Sequence, residues 1–158
     1  MSPSSLPQDF RDILLSLKSF EVRYLVVGAW ALGAYGLPRA TGDLDIFIEK
    51  SVSNSRKMVM ALEDFGVPPG ELDRDFFARD VLFRMGVPPL QLEVFTMISG
   101  VSFEAAYQNR ESLKFDNLEV PCISLRDLLK NKRASGRAKD QLDVEIILQR
   151  FPALRSEL

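Results

Sequence analysis

The segment from residue 24 to residue 48 limits the possible folds of this chain more than any other part of the sequence. A β-branched run at residues 23–27 predicts a strand that ends at Gly28, and residues 29–35 predict a short helix. Residues 43–49 alternate aliphatic side chains with acidic or aromatic ones, a pattern typical of a strand whose two faces differ. This order of strand, helix and strand predicts a β-sheet with helices packed against it.

The remaining sequence continues the mixture of strands and helices. Apolar periodicity and turn residues predict helices at residues 8–20, 53–65, 103–109, 125–134 and 138–150, strands at 80–85 and 90–97, and a small edge hairpin within 112–120. We therefore predict an α/β or α+β fold with a mixed β-sheet flanked by helices. The chain of 158 residues has the length of one domain. Within it we expect an α/β core at residues 1–120 and a C-terminal helical segment at residues 121–158 that packs on this core.

Composition excludes several kinds of catalytic and metal site. The sequence contains no histidine and one cysteine. These counts exclude Ser-His-Asp and Cys-His catalysis, histidine-ligated zinc and an internal disulfide. A general acid or base must then be a carboxylate, a lysine, a tyrosine or water. A bound metal must be a hard cation held by oxygen atoms, such as Mg²⁺ or Mn²⁺.

Charge and hydropathy indicate a cytoplasmic protein without a membrane partner. The formal net charge of −2 differs from the strongly positive charge of an obligate DNA-binding protein. The first ten residues lack the basic and apolar regions of a signal peptide. The longest apolar run, residues 24–37, contains three glycines and is shorter than the roughly 20 residues of a membrane-spanning helix.

Acidic residues on two predicted strands indicate a site for a divalent cation. Asp43 and Asp45 are two residues apart on one strand, so their carboxylates leave the same face. Like charges this close are unfavourable unless a cation lies between them. Glu93, on another predicted strand, is a candidate third ligand. The alternative is a strand face that is merely solvated.

Gly28 lies where a strand turns into a helix, a place that exposes backbone N–H groups to a phosphate. An ordinary tight turn is the alternative interpretation of this glycine.

Together these residues resemble the signature of the nucleotidyltransferase superfamily, which has the polymerase-beta-like fold. That signature is h-G-[GS]-x(9–13)-D-h-[DE]-h, followed by a third acid on a later strand. Here Val27-Gly28-Ala29 is followed, after thirteen residues, by Asp43-Leu44-Asp45-Ile46, and Glu93 stands in the third place. A K-x(4)-[RK]-x-x-D segment at Lys132, Arg137 and Asp140, and the run from Arg39 to Asp45, are similar to short bacterial members related to the AbiEii toxin group. The resemblance covers about residues 22–150.

The resemblance implies a metal-dependent transfer of a nucleoside monophosphate from a nucleoside triphosphate to an acceptor, with release of pyrophosphate. It implies that Asp43, Asp45 and Glu93 are the catalytic and metal-binding residues for Mg²⁺ or Mn²⁺. The residues implied in nucleotide binding are Gly28, Ala29, Arg39, Thr41, Lys132 and Arg137. The acceptor of such a protein is another protein, an RNA 3′ end or a small molecule. The AbiEii likeness also implies a possible partner protein in a toxin–antitoxin system.

Two departures from the signature keep a second interpretation open. Ala29 stands where the family has Gly or Ser, and Glu93 is one methylene longer than the usual Asp. Both favour a non-catalytic binding module, or one half of a toxin–antitoxin pair. A third interpretation, an Asp-x-Asp phosphohydrolase pair, is disfavoured because Phe47 stands where Thr or Val is expected.

Near the C-terminus, one lysine occupies a position on the apolar stripe of a predicted helix. Lys132 follows Leu125 by seven residues and Leu128 by four, so helical register points it inward. It then needs either a nucleotide phosphate or a carboxylate such as Asp140 as its partner. For Trp30, both packing in the core and stacking on a nucleotide base are possible.

Overall fold

The computed structural model describes residues 6–37, 42–87 and 90–157. The helices are α1 Gln8–Ser19, α2 Gly28–Ala34, α3 Val52–Phe65, α4 Phe103–Gln108, α5 Leu125–Ser135 and α6 Ala138–Arg150. The strands are β1 Tyr24–Val27, β2 Asp43–Ile48, β3 Leu82–Val87, β4 Leu90–Phe95, β5 Glu111–Phe115 and β6 Leu118–Cys122. Short 3₁₀ helices occupy Phe76–Ala78 and Pro152–Glu157. No helix of these described ranges is long and apolar enough to cross a membrane.

Within the described residues, six strands form one sheet in the order β3-β4-β2-β1-β6-β5. The pairs β3–β4, β1–β2 and β5–β6 are antiparallel, whereas β2–β4 and β1–β6 are parallel. This arrangement confirms the predicted mixed sheet flanked by helices.

Apolar periodicity places the helices and strands on a common hydrophobic core. The apolar stripe of α1, formed by Phe10, Ile13, Leu14 and Leu17, is buried, and α1 packs against α3. On β2, the alternate residues Leu44, Ile46 and Ile48 are fully buried. The other face of β2 therefore carries Asp43 and Asp45, as the alternation of the sequence predicted.

The two last helices share this core. Leu128 and Leu129 of α5 and Ile147 of α6 are buried among the same residues as the sheet. Ser124 caps α5 by accepting a hydrogen bond from the Asp127 backbone N–H. The left-handed Gly136 lies at the C-cap of α5, at the predicted break. The boundary expected after residue 120 falls inside β6.

The hairpin predicted within residues 112–120 is confirmed, because β5 and β6 pair antiparallel on either side of Asp116 and Asn117. Only β5 forms the sheet edge, however, whereas β6 lies inside the sheet and pairs with β1. The pairing of β6 with β1 joins residues about a hundred positions apart, and local turn signals carry no information on it. The first hairpin also shifts, from the predicted 80–85 and 90–97 to Leu82–Val87 and Leu90–Phe95.

Candidate active site

Strand register places a row of site residues across four strands. Arg84 on β3 lies opposite Glu93 on β4, Glu93 lies opposite Asp45 on β2, and Asp45 lies opposite Val27 at the end of β1. Asp43 is two residues before Asp45 on the same face. The sheet thus brings together the three predicted carboxylates at the turn that follows β1.

Gly28 lies at this turn, and its backbone is in close contact with the side chain of Asp45. Its φ is +68°, a conformation that side chains rarely adopt. A Cβ atom on Gly28 would lie 3.1 Å from Asp45 Cγ and would collide with Asp45 Oδ2. A glycine here therefore leaves room for the carboxylate. Its predicted role in phosphate binding stays a prediction.

Burial and negative charge outweigh positive charge in the surroundings of the Asp45 side chain. It is half-buried, and its Oδ1 atom is buried without a hydrogen-bond partner in the described part of the chain. Burial, followed by the charges of Glu93 and Asp43, raises the pKa of Asp45 to about 7, although Lys139 and Lys132 act in the opposite direction. A bound cation would coordinate the Asp45 carboxylate and balance the negative charges of Asp43, Asp45 and Glu93.

Glu93, in contrast, already has a partner. Arg84 Nε donates a hydrogen bond of 2.9 Å to Glu93 Oε2, and this pairing raises the pKa of Arg84. The side chain of Arg84 is 60% exposed and that of Glu93 is 13% exposed. The negative charge of Glu93 is therefore balanced from the neighbouring strand.

These observations test the expected metal site. Among the described residues, no group of three or more His, Cys, Asp or Glu side chains is close enough to hold a metal ion as it stands. The donor chemistry of Asp43 and Asp45, with the unpartnered Asp45 oxygen, fits Mg²⁺ or Mn²⁺. Glu93 fits as a third ligand only if its bond to Arg84 rearranges.

The carboxylates line a cavity of about 530 Å³ that residues of α5, α6 and the turn between them also line. Asn131 of α5 donates to the Ser99 carbonyl at 3.0 Å, which ties the loop after β4 to this helix. Ala29 also lines the cavity, beside Gly28. Arg137 and Lys139 line it from the start of α6.

Lys132 points inward, as its register predicted, and is 5% exposed. Its Nζ lies 3.1 Å from Asp140 Oδ1 and 2.8 Å from Asp143 Oδ2. Asp143 was not predicted as a partner. Because two buried carboxylates surround the ammonium group, the structure supports the structural interpretation of Lys132. Its predicted role in nucleotide binding stays a prediction.

Asp140 connects this buried pair to the cavity. It accepts hydrogen bonds from Ser135 Oγ at 2.5 Å and from Arg137 Nε at 2.9 Å. Burial raises the pKa of Asp140, but the hydrogen bonds from Ser135, Lys132 and Arg137, with the charge of Lys132, outweigh burial and lower it to about 2. Arg137, 70% exposed, is thereby held at the cavity.

Sequence reasoning missed Lys139 and Arg84. Of the two lysines that lower the Asp45 pKa, Lys139 has the larger effect. A signal existed, because Lys139 lies in the first turn of α6, where the helix dipole disfavours a cation. For Arg84, the signal was a charged residue between the apolar Phe83 and Met85 of the predicted strand.

Other predicted site residues lie elsewhere. Arg39 and Thr41 are outside the described residues. Trp30 packs between Phe10 and Phe115, with ring centroids 5.9 and 6.1 Å away, which supports packing rather than base stacking. Burial raises the pKa of the Cys122 thiol to about 12, so this cysteine stays protonated.

Comparison with known proteins gives a likeness in fold. The chain matches no protein-family model and no curated protein. It is similar to a protein of Thermotoga maritima, provisionally assigned as a nucleotidyltransferase, whose crystal structure was determined at 1.87 Å resolution. The TM-score is 0.60 and the sequence identity is 13%, over 95% of this chain and 99% of the other. The chain therefore has a nucleotidyltransferase-like fold.

Proposed function

We propose that this protein is a metal-dependent nucleotidyltransferase that transfers a nucleoside monophosphate from a nucleoside triphosphate to an acceptor hydroxyl. The observation that carries this proposal is the lining of one cavity by Asp43, Asp45 and Glu93, together with a buried Asp45 oxygen that has no hydrogen-bond partner among the described residues. Arg137 and Lys139 supply positive charge to the same cavity. Acidic ligands beside exposed cations suit a metal-bound triphosphate, and the fold likeness supports this assignment.

Each residue of the site has a role in this proposal. Asp43 and Asp45 would hold Mg²⁺ or Mn²⁺, and Gly28 leaves the space that Asp45 needs. A bound divalent ion would supply the charge that neutralises the triphosphate and makes the α-phosphorus electrophilic. Arg137 and Lys139 bind the β- and γ-phosphates, and the backbone N–H groups of the turn at Gly28 and Ala29 face the phosphates.

The chemical step is an in-line substitution at phosphorus. The acceptor oxygen forms a bond to the α-phosphorus, and the bond from that phosphorus to the oxygen bridging to the β-phosphate breaks. Pyrophosphate leaves with the electron pair of that bond. The hydroxyl proton goes to the Glu93 carboxylate, which lies beside Asp45 in the sheet. Catalysis rests on positioning and on charge neutralisation rather than on a covalent enzyme intermediate.

One observation favours a second candidate, a protein that binds the nucleotide without turnover. The ion pair of Glu93 with Arg84 occupies the proposed proton acceptor. Ala29 also departs from the family signature. The toxin–antitoxin partner, the AbiEii relationship and the cytoplasmic location implied by the sequence remain predictions.

Binding is tested by thermal denaturation with Mg²⁺ and each of the four nucleoside triphosphates. A ligand at 100 times its Kd adds about 2.7 kcal/mol to the free energy of unfolding, which raises Tm by roughly 5–10 °C in a chain of this size. Asp45→Asn should remove most of the increase. Asp80→Asn is the matched control because Asp80 is exposed and forms a surface pair with Lys50.

Turnover is tested by pyrophosphate release under the same conditions. Release by the wild type and its loss in Asp45→Asn support the enzyme, whereas a Tm increase without release supports the non-catalytic candidate. An equal Tm increase in the wild type and in Asp45→Asn would place the nucleotide outside this cavity.

A further inference from the structure

Arg84 lies at the outer end of the row of site residues, and its guanidinium group has N–H donors that are not used by Glu93. It lies on β3, at the edge of the sheet, and lines the cavity on the far side of Glu93 from Asp45. Within the described residues, its hydrogen bond to Glu93 uses Nε alone. A guanidinium group carries five N–H donors in one plane, so it can bind a carboxylate and a second anion together.

Apolar side chains line the same cavity as Arg84. Leu82, two residues earlier on the same face of β3, is 48% exposed, and Met97, beyond β4, is 56% exposed. Phe95 and Ile98 add half-buried apolar surface to this wall. Apolar side chains grouped around a cation in a cavity indicate a binding surface rather than scattered surface residues.

The order of the row separates two sides of the cavity. Gly28, Asp45 and Lys139 lie on the side that the proposed function gives to the nucleotide. Arg84 and the apolar wall lie on the other side of Glu93, the proposed acceptor of the hydroxyl proton. The acceptor molecule must bring its hydroxyl to Glu93, so the rest of this molecule lies against Arg84.

We propose that Arg84 binds an anionic group of the acceptor while Leu82 and Met97 contact an apolar part of it. The acceptor is therefore a hydroxyl compound that carries a phosphate or a carboxylate next to an apolar or aromatic group. This inference rests on the proposed function. The competing explanation is that Arg84 forms only a cross-strand ion pair that protects the sheet edge.

The experiment uses two pairs of probes, and in each pair only one member carries an anionic group. The protein is first saturated with Mg²⁺ and the α,β-methylene analogue of the triphosphate that raises Tm most. Adenosine 5′-monophosphate and adenosine form the phosphate pair, and N-acetyltyrosine and N-acetyltyrosinamide form the carboxylate pair. Calorimetric titration should show about tenfold tighter binding of the anionic member of at least one pair, and which pair identifies the anion.

Matched variants assign this preference to Arg84. Arg84→Gln should abolish the preference and leave the affinity for the triphosphate analogue within about threefold. Arg79→Gln should retain the preference, because Arg79 is 59% exposed, forms a surface pair with Asp73 and lies outside the cavity lining. Met97→Gln should weaken both members of a pair equally.

Three results would be decisive against the inference. Equal binding of charged and neutral probes, an anion preference that survives Arg84→Gln, or its loss in Arg79→Gln would each overturn it. Failure of every triphosphate analogue to bind would instead count against the proposed function. The tyrosine pair, titrated with Mg²⁺ alone, would then still decide the role of Arg84, since neither compound resembles a nucleotide.

Discussion

Gly28 and Asp45 each limit what the other position can accept. The positive φ of Gly28 turns the chain sharply from β1 into α2. The Asp45 carboxylate occupies the space where any other residue would have its Cβ atom. Burial in this position, followed by the charges of Glu93 and Asp43, raises the pKa of Asp45 to about 7. The turn at Gly28 and the Asp45 carboxylate together form the part of the site where we propose that a cation binds.

A substitution at Gly28 should therefore affect ligand binding more than stability. Gly28→Ala and Gly36→Ala both force a left-handed conformation on alanine, at a cost of about 1–2 kcal/mol. Gly36 has a φ of +85° but no atom within 4 Å of an added Cβ, which makes it the matched control. We expect Gly28→Ala alone to lose the Tm increase with Mg²⁺ and triphosphate. Urea denaturation measures the cost in stability, and a full Tm increase in Gly28→Ala would contradict the proposed geometry.

At the scale of elements, the site depends on how α5 and α6 are joined. Gly136 lies at the C-cap of α5, and Asp140 and Asp143 of α6 then both reach Lys132 of α5. The ion pairs of Lys132 with Asp140 and Asp143 hold α5 and α6 together. Because Asp140 also holds Arg137, the same contact fixes the cationic start of α6 at the cavity. Lys132 therefore positions Asp140 and, through it, Arg137, while its role in nucleotide binding stays a prediction.

Removal of the Lys132 charge should destabilise the whole protein. Lys132→Met leaves two buried carboxylates without their cation, and breaking a buried pair from one side costs about 3–5 kcal/mol. Lys130 lies on the exposed face of the same helix, so the free energy of unfolding of Lys130→Met should stay within about 0.5 kcal/mol of the wild-type value. Adding Asp140→Leu to Lys132→Met removes one of the two unpaired carboxylates and should restore part of the lost stability. The recovery should be incomplete because Asp143 remains buried without its cation. A loss below about 1 kcal/mol in Lys132→Met, measured by urea denaturation, would refute a structural role.

At the scale of the whole molecule, one hydrophobic core connects the two ends of the chain. Residues of α1, of the inner strands and of α5 and α6 are buried in the same cluster. Parallel pairing of β1 with β6 joins the first strand to the one that leads into α5. The carboxylates that we propose to be catalytic and the cations of α6 thus belong to one packed unit.

A shared core predicts a single unfolding transition. Trp30, the one tryptophan, is packed between Phe10 and Phe115, so its fluorescence reports on the N-terminal half and on β5. Far-UV circular dichroism reports on all helices, including α5 and α6. We expect the two signals to have the same midpoint in urea. A separate, earlier loss of helical signal would show that residues 121–158 fold as an independent segment.

Local sequence patterns were sufficient to predict most helices and strands and to identify the acidic residues that could bind a cation. Helical periodicity predicted α1, α5 and α6, and also turned Lys132 inward. Alternation along β2 placed Asp43 and Asp45 on one face. These predictions succeed because side-chain direction repeats every 3.6 residues in a helix and every two in a strand, so a few neighbouring residues are enough.

Only the tertiary structure decided which strands are neighbours and which charges meet. The position of β6 beside β1, the pairing of Arg84 with Glu93, the second carboxylate at Lys132 and the nearness of Lys139 to Asp45 are absent from any local pattern. Each depends on register between segments far apart in the chain. A shift of one residue in that register would turn Glu93 to the other face of the sheet. The sequence by itself therefore determined which residues are able to bind a cation, and the packing of the whole sheet decided which of them face one cavity.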